Sequence, residues 1–178
     1  DLTDANVTVE VKDTTDTTTV AVTADPAKEG DANVTFHFQL SNPPQGTTTL
    51  TVNVGGKDYT VSVDKDGYGK LDVPNTNGED VYKDGTTVDA TVTSVNGGNY
   101  EATDLTDANV TVEVKDTTDT TTVAVTADPA KEGDANVTFH FQLSNPPQGT
   151  TTLTVNVGGK DYTVSVDKDG YGKLDVPN

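Results

Sequence analysis

The sequence predicts an all-β protein built from tandem antiparallel β-sandwich modules of the immunoglobulin-like kind. Three observations predict it. Residues 1–75 recur letter for letter as residues 104–178, a period of 103 residues. That is too long for one turn of a solenoid and right for a whole domain. Apolar and polar residues alternate with period two, as in half-buried strands. Clusters of Gly, Pro, Asn and Asp punctuate the alternation at short intervals, as hairpin turns do.

Seven strands are expected per period. Residues 18–24 (TTVAVTA) alternate through Val20 and Val22 and end at Asp25-Pro26. Residues 33–40 (NVTFHFQL) place Phe36, Phe38 and Leu40 on one face and end at Asn42-Pro43-Pro44-Gln45-Gly46. Residues 47–54 follow with Leu50, Val52 and Val54, closed by Gly55-Gly56. Residues 59–63 bring Tyr59, Val61 and Val63, and residues 70–73 bring Leu71 and Val73 across the Asp66-Gly67 turn. Residues 86–95 carry Val88, Ala90 and Val92, and end at Asn96-Gly97-Gly98-Asn99. Residues 108–115 carry Val110, Val112 and Val114. Strands so rich in Val and Thr suit a pleated, half-buried surface. Seven short strands in about 100 residues fit an immunoglobulin-like sandwich whose core is these alternating positions.

The repeat sets the expected domains. Residues 1–15 hold the last strand of a preceding module, 16–118 one complete module, and 119–178 the first five strands of the next. The sequence thus reads as an excerpt of an array, and the partners it calls for are identical neighbouring repeats. Duplication without divergence suits a spacer, whose length is the sum of its modules, better than a chemical site.

Composition narrows the function. There is no Cys, Met or Trp, and the formal net charge is −18 from 29 acids against 11 lysines. No disulfide staples the module, and self-repulsion of that size opposes compaction unless cations neutralise it. Nucleic acid and anionic membrane are poor partners for such a chain. No apolar run has transmembrane length. Catalysis is not expected. Acid pairs could suggest a glycosidase, but no Trp is present to stack on sugar, and no nucleophilic Cys, phosphate loop or Ser-His-Asp arrangement stands out. His37, with its copy His140, shares a strand face with Thr35 and Gln39 and is expected to point outward, without a metal. The runs Thr17-Thr18-Thr19 and Thr47-Thr48-Thr49 could suggest an ice-binding face but read as ordinary polar strand residues.

The acids have a pattern. Antiparallel strands place loops alternately at two poles, and the top of one module must meet the bottom of the next. The joint reads Lys115-Asp116-Thr117-Thr118-Asp119, copied from Lys12-Asp13-Thr14-Thr15-Asp16, so almost no free linker remains. Carboxylates from both poles crowd there. Hard oxygen ligands on loops suit Ca²⁺, which takes six to eight oxygens. The expected ligands at the downstream joint are Asp116 and Asp119, with Glu29, Asp80 and Asp84 from one pole and Asp167 or Asp169 from the other. At the upstream joint they are Asp13 and Asp16 with Asp64, Asp66, Asp104 and Asp107. Asp64-Lys65-Asp66-Gly67 opens like an EF-hand loop, but its Gly is fourth rather than sixth, and a β-turn is the better reading.

The joint Asp116-Thr117-Thr118-Asp119-Thr120-Thr121-Thr122-Val123 resembles the inter-repeat joint of the giant LapA-type RTX biofilm adhesins of Gram-negative bacteria. Glu79-Asp80-Val81-Tyr82-Lys83-Asp84-Gly85, Ala90-Thr91-Val92-Thr93, Gly97-Gly98-Asn99-Tyr100-Glu101 and Glu29-Gly30 are similar to their repeat signature. The resemblance spans the whole period. It implies immunoglobulin-like extender domains, joined rigidly by Ca²⁺, in a protein exported by type I secretion and displayed at the bacterial cell surface. The glycine-rich nonapeptide repeats of that family are not in this sequence, so the resemblance covers the extender region only. The alternative is a repeated carbohydrate- or protein-binding module of a surface protein. Saturable binding by an isolated repeat would favour it, whereas Ca²⁺-dependent rigidity would favour the spacer.

Overall fold

The computed structural model describes residues 1–178 and contains fourteen strands and no helix. It divides into two compact units. One comprises Asp1–Gly78 and Gly85–Lys115; the other comprises Glu79–Asp84 and Asp116–Asn178.

The first unit holds β1 (Thr17–Ala24), β2 (Ala27–Lys28), β3 (Asn33–Leu40), β4 (Thr48–Val54), β5 (Lys57–Val63), β6 (Tyr68–Pro74), β7 (Thr86–Gly97), β8 (Ala102–Asp104) and β9 (Asn109–Lys115). One sheet has the order β6-β3-β1-β8 and the other β2-β9-β7-β4-β5. The pairings are antiparallel except β1 with β8 and β2 with β9, which are parallel. The architecture is a β-sandwich, compatible with the expected immunoglobulin-like arrangement.

All nineteen alternating positions read as core lie in one apolar cluster or pack directly against it. Phe36 and Phe38 of one sheet and Leu50 and Val52 of the other are fully buried at its centre. Each such side chain contributes about 1.5–3 kcal/mol through burial. The cluster also takes in Ala27, Val34 and Ala108.

The two extra strands, β2 and β8, are two and three residues long, too short to show alternation. Strand β7 outlasts its expected end at 95. Its register against β4 shifts between Thr51, opposite Ser94, and Val52, opposite Val92, leaving Thr93 as the extra residue of a bulge. The bulge re-phases the alternation, so Val95 also packs on the core.

The second unit holds β10 (Val123–Ala127), β11 (Asn136–Leu143), β12 (Thr151–Val157), β13 (Lys160–Val166) and β14 (Tyr171–Pro177). They form a three-stranded sheet, β10-β11-β14, and a hairpin, β12-β13. Registers repeat those of the first unit: Val125 faces Phe141 as Val22 faces Phe38. Strand β10 starts at Val123, whereas β1 starts at Thr17, whose copy is Thr120. The first residues of β1 pair with β8, whose Ala102 and Thr103 lie in the stretch 76–103 that occurs once in the sequence.

Residues 1–12, expected as a strand, form none, and Val7, Val9 and Val11 are exposed. Within their copy at 104–115, Asn109–Lys115 becomes β9 because β7 and β2 hold it on either side. The segment Thr86–Gly97 that would do so occurs only once in the sequence.

Candidate metal centre

Short loops bring the acids of each unit to its poles. In the first unit, the turn after β2 is tied to the end of β9 by the Glu29 amide, which donates to the Lys115 carbonyl at 2.8 Å. The Gly30 amide donates to the Asn77 carbonyl at 2.9 Å, and Asn75 Nδ2 donates to the Lys28 carbonyl at 3.2 Å. The loops after β2 and β6 and the end of β9 thus share one pole, as alternation requires. Glu29 is buried there, 1% exposed.

In the second unit, Asp80, Asp84 and Asp116 each offer a carboxylate oxygen, and these oxygens lie within 4.8 Å of one another. Carboxylate oxygens of Glu79 and Asp119 lie equally close to each other. The segment carrying Glu79, Asp80 and Asp84 is fixed inside this unit at two points. Tyr82 Oη donates to the Pro146 carbonyl at 2.6 Å, and Thr117 Oγ1 donates to Glu79 Oε1 at 2.5 Å. The Asp80 carboxylate also accepts the Tyr82 amide at 2.8 Å, closing a local turn.

Like charges about 4 Å apart repel by about 4 kcal/mol at the effective dielectric near a protein surface. A cation among them reverses that sign. The oxygens are close enough for one cation to bridge them.

The remaining expected ligands take other places. Asp13 and Asp16 line a cleft of the first unit with Glu101, whose carboxylate accepts the Asp16 amide at 2.5 Å. Asp104 Oδ1 accepts the hydroxyl of Thr106 at 2.6 Å and its amide at 3.0 Å. Those two bonds, the side-chain one first, hold the Asp104 carboxyl below its ordinary pKa. Asp104 and Asp107 flank Thr19–Val22 of β1. Asp64 Oδ1 accepts the amides of Asp66 and Tyr68, both at 2.9 Å, and Gly67 takes φ +84°. The Asp64 loop is therefore the expected β-turn, with Asp66 exposed beside Lys65. Asp167 and Asp169 repeat this arrangement.

Glu79 stood outside the expected ligand set, although its adjacency to Asp80 in the sequence was a signal for it. His37 points outward as expected, yet it is engaged. Nε2 lies 2.9 Å from Asp25 Oδ1 and Nδ1 2.6 Å from Tyr68 Oη, and His140 repeats this with Asp128 and Tyr171.

A family profile described as the LapA domain matches residues 16–117. No curated protein is matched by the chain. Among solved structures, one from work on host cell surface retention of a 1.5-MDa bacterial ice-binding adhesin is similar at 16% identity and a TM-score of 0.37. The alignment covers 92% of this chain and 55% of that one, so the chain spans about half the length of that relative.

Proposed function

The chain belongs to the LapA domain family, and from that premise we propose that it is a stretch of extender modules of a bacterial cell-surface adhesin, stiffened by Ca²⁺ at the joints between modules. The observation that carries the proposal is the cluster of Asp80, Asp84 and Asp116 carboxylates in the second unit. One member, Asp116, belongs to the joint sequence itself, and another, Asp119, stands three residues on in the neighbouring pair. Ca²⁺ shared among such carboxylates turns repulsion into ligation. In this reading the modules act by holding a distal ligand-binding region away from the cell, outside it, with neighbouring repeats as their partners. Catalysis has no part in it.

The joint has neither Gly nor Pro between Lys115 and Thr120. Locked by cation, its reach grows linearly with repeat number; hinged, it grows with roughly the square root. Small-angle scattering of a four-repeat array tests this. The maximum dimension should be longer and better defined in Ca²⁺ than in chelator. Identical profiles would remove the stiffened spacer, and saturable glycan binding would then favour a binding module.

A further inference from the structure

The second unit contains a seated segment, and the first unit contains a second copy of the seat. In the second unit, Tyr82 bonds the Pro146 carbonyl, Glu79 accepts from Thr117, and Asp80 and Asp84 cluster with Asp116. The receiving residues are Asp116, Thr117 and Pro146. Their copies, 103 residues earlier, are Asp13, Thr14 and Pro43.

In the first unit, Asp13 and Pro43 line an open cleft of about 680 Å³ together with Asp16, Gln45, Asn99 and Tyr100. Its walls are fixed. Asn99 Nδ2 donates to Gln45 Oε1 at 2.8 Å, and Tyr100 Oη donates to the Asn42 carbonyl at 2.8 Å. The turn that carries Asn99 runs through three successive positive φ values, at Gly97, Gly98 and Asn99. A loop so held meets a partner with little further ordering cost.

We propose that this cleft is the receptor for a Glu-Asp-Val-Tyr-Lys-Asp segment of another module of the same sequence. The tyrosine hydroxyl would donate to the Pro43 carbonyl, and the glutamate would accept from Thr14. The occupant is fixed by the copy relation: the same receiving residues hold that segment in the second unit. The two aspartates of the segment then stand beside Asp13 as Asp80 and Asp84 stand beside Asp116. The hydrogen bonds do not depend on the spacer reading. Only the contribution of a cation to this pairing rests on it.

The test is a titration of the isotopically labelled full chain with a peptide of residues 78–85, followed by NMR, in Ca²⁺ and in chelator. Asn99, Tyr100 and Glu101 occur in the stretch present once, so their signals report the first unit alone. Saturable shifts there are expected. The Tyr82→Phe peptide should bind about three- to tenfold more weakly, the worth of one neutral hydrogen bond. Shifts in Ca²⁺ only support the receptor together with the cation. Shifts in both conditions support the receptor while leaving the cation without a part in it. No shift at millimolar peptide, shifts confined to residues 116–178, or equal affinity for the Phe peptide would overturn the proposal. So would glycan binding at these residues without peptide binding. None of those failures touches the scattering test of the spacer.

Discussion

Phe36 stands opposite Leu71 across β3 and β6, and their copies Phe139 and Leu174 stand opposite each other across β11 and β14. The pairing is identical, but the environment is not: Phe36 is fully buried, and Phe139 is only half-buried. In the first unit the second sheet covers this pair, with Leu50 and Val52 in the same cluster. Phe36→Ala is therefore expected to cost about 3–5 kcal/mol in denaturant melts. Phe139→Ala should cost distinctly less, because a half-covered ring leaves less of a cavity. Equal losses would show that local strand pairing, not burial, sets the stability.

Millimolar Ca²⁺ should raise the melting temperature, and chelator should lower it. Binding to the folded state alone gives about 2.7 kcal/mol at one hundred times Kd. Asp80→Asn and Asp116→Asn should each remove most of that gain, since both belong to one cluster. Asp64→Asn should leave it in place, because Asp64 is committed to its own turn. A Ca²⁺ gain that survives Asp116→Asn would move the ion elsewhere.

Gly46 and Gly97 share a positive φ, +83° and +84°, but differ in room. A Cβ at Gly46 meets nothing within 4 Å, whereas at Gly97 it would stand 2.2 Å from the Thr47 carbonyl oxygen. Gly46→Ala should cost about 1–2 kcal/mol, the left-handed penalty alone. Gly97→Ala should cost clearly more, because backbone must move at the bend between β7 and β8. Matched chemical denaturation of the two variants reads the difference.

The lowered pKa of Asp104 has a defined sign. Thr106 favours the ionised form in the folded state, so its contribution is present above the unfolded carboxyl's pKa. It is lost as pH falls through the lower folded value. NMR titration should place Asp104 below the ordinary aspartate range, and Thr106→Val should bring it back up. A Thr106→Val titration curve that overlays the parent's would remove the hydroxyl as the cause.

The strands and core were legible because period-two alternation speaks directly of one buried face, and Phe36, Phe38, Leu50 and Val52 carry it without interruption. Val34 shares the Phe36 face and is buried, yet it stands at the start of its strand, where alternation alone sets no limit. Ala27 and Ala108 are too small to announce burial. Thr93 escaped because a bulge is a mismatch between two strands, and one strand's letters do not contain it. Residues 1–12 carry the letters of a strand, but a strand also needs neighbours. For the acids, sequence put Asp80, Asp84 and Asp116 into one expected ligand set, and their carboxylates do lie close together. It could not tell them from Asp64 or Asp104, whose oxygens accept nearby amides and hydroxyls instead.

The two parallel pairings of the first unit bear on what happens when such a module is pulled. The chain enters through β1 and leaves through β9. Strand β1 is joined in parallel to β8 at Thr17, Thr18 and Thr19, and β2 is joined in parallel to β9 at Ala27 and Lys28. Tension applied at the two ends therefore drags β1 along β8 and β2 along β9 lengthwise. The hydrogen bonds across them run sideways to the load and are strained together in shear, whereas a terminal hairpin would peel open one bond at a time. A module threaded this way is set to carry force along the direction in which a tether is stretched.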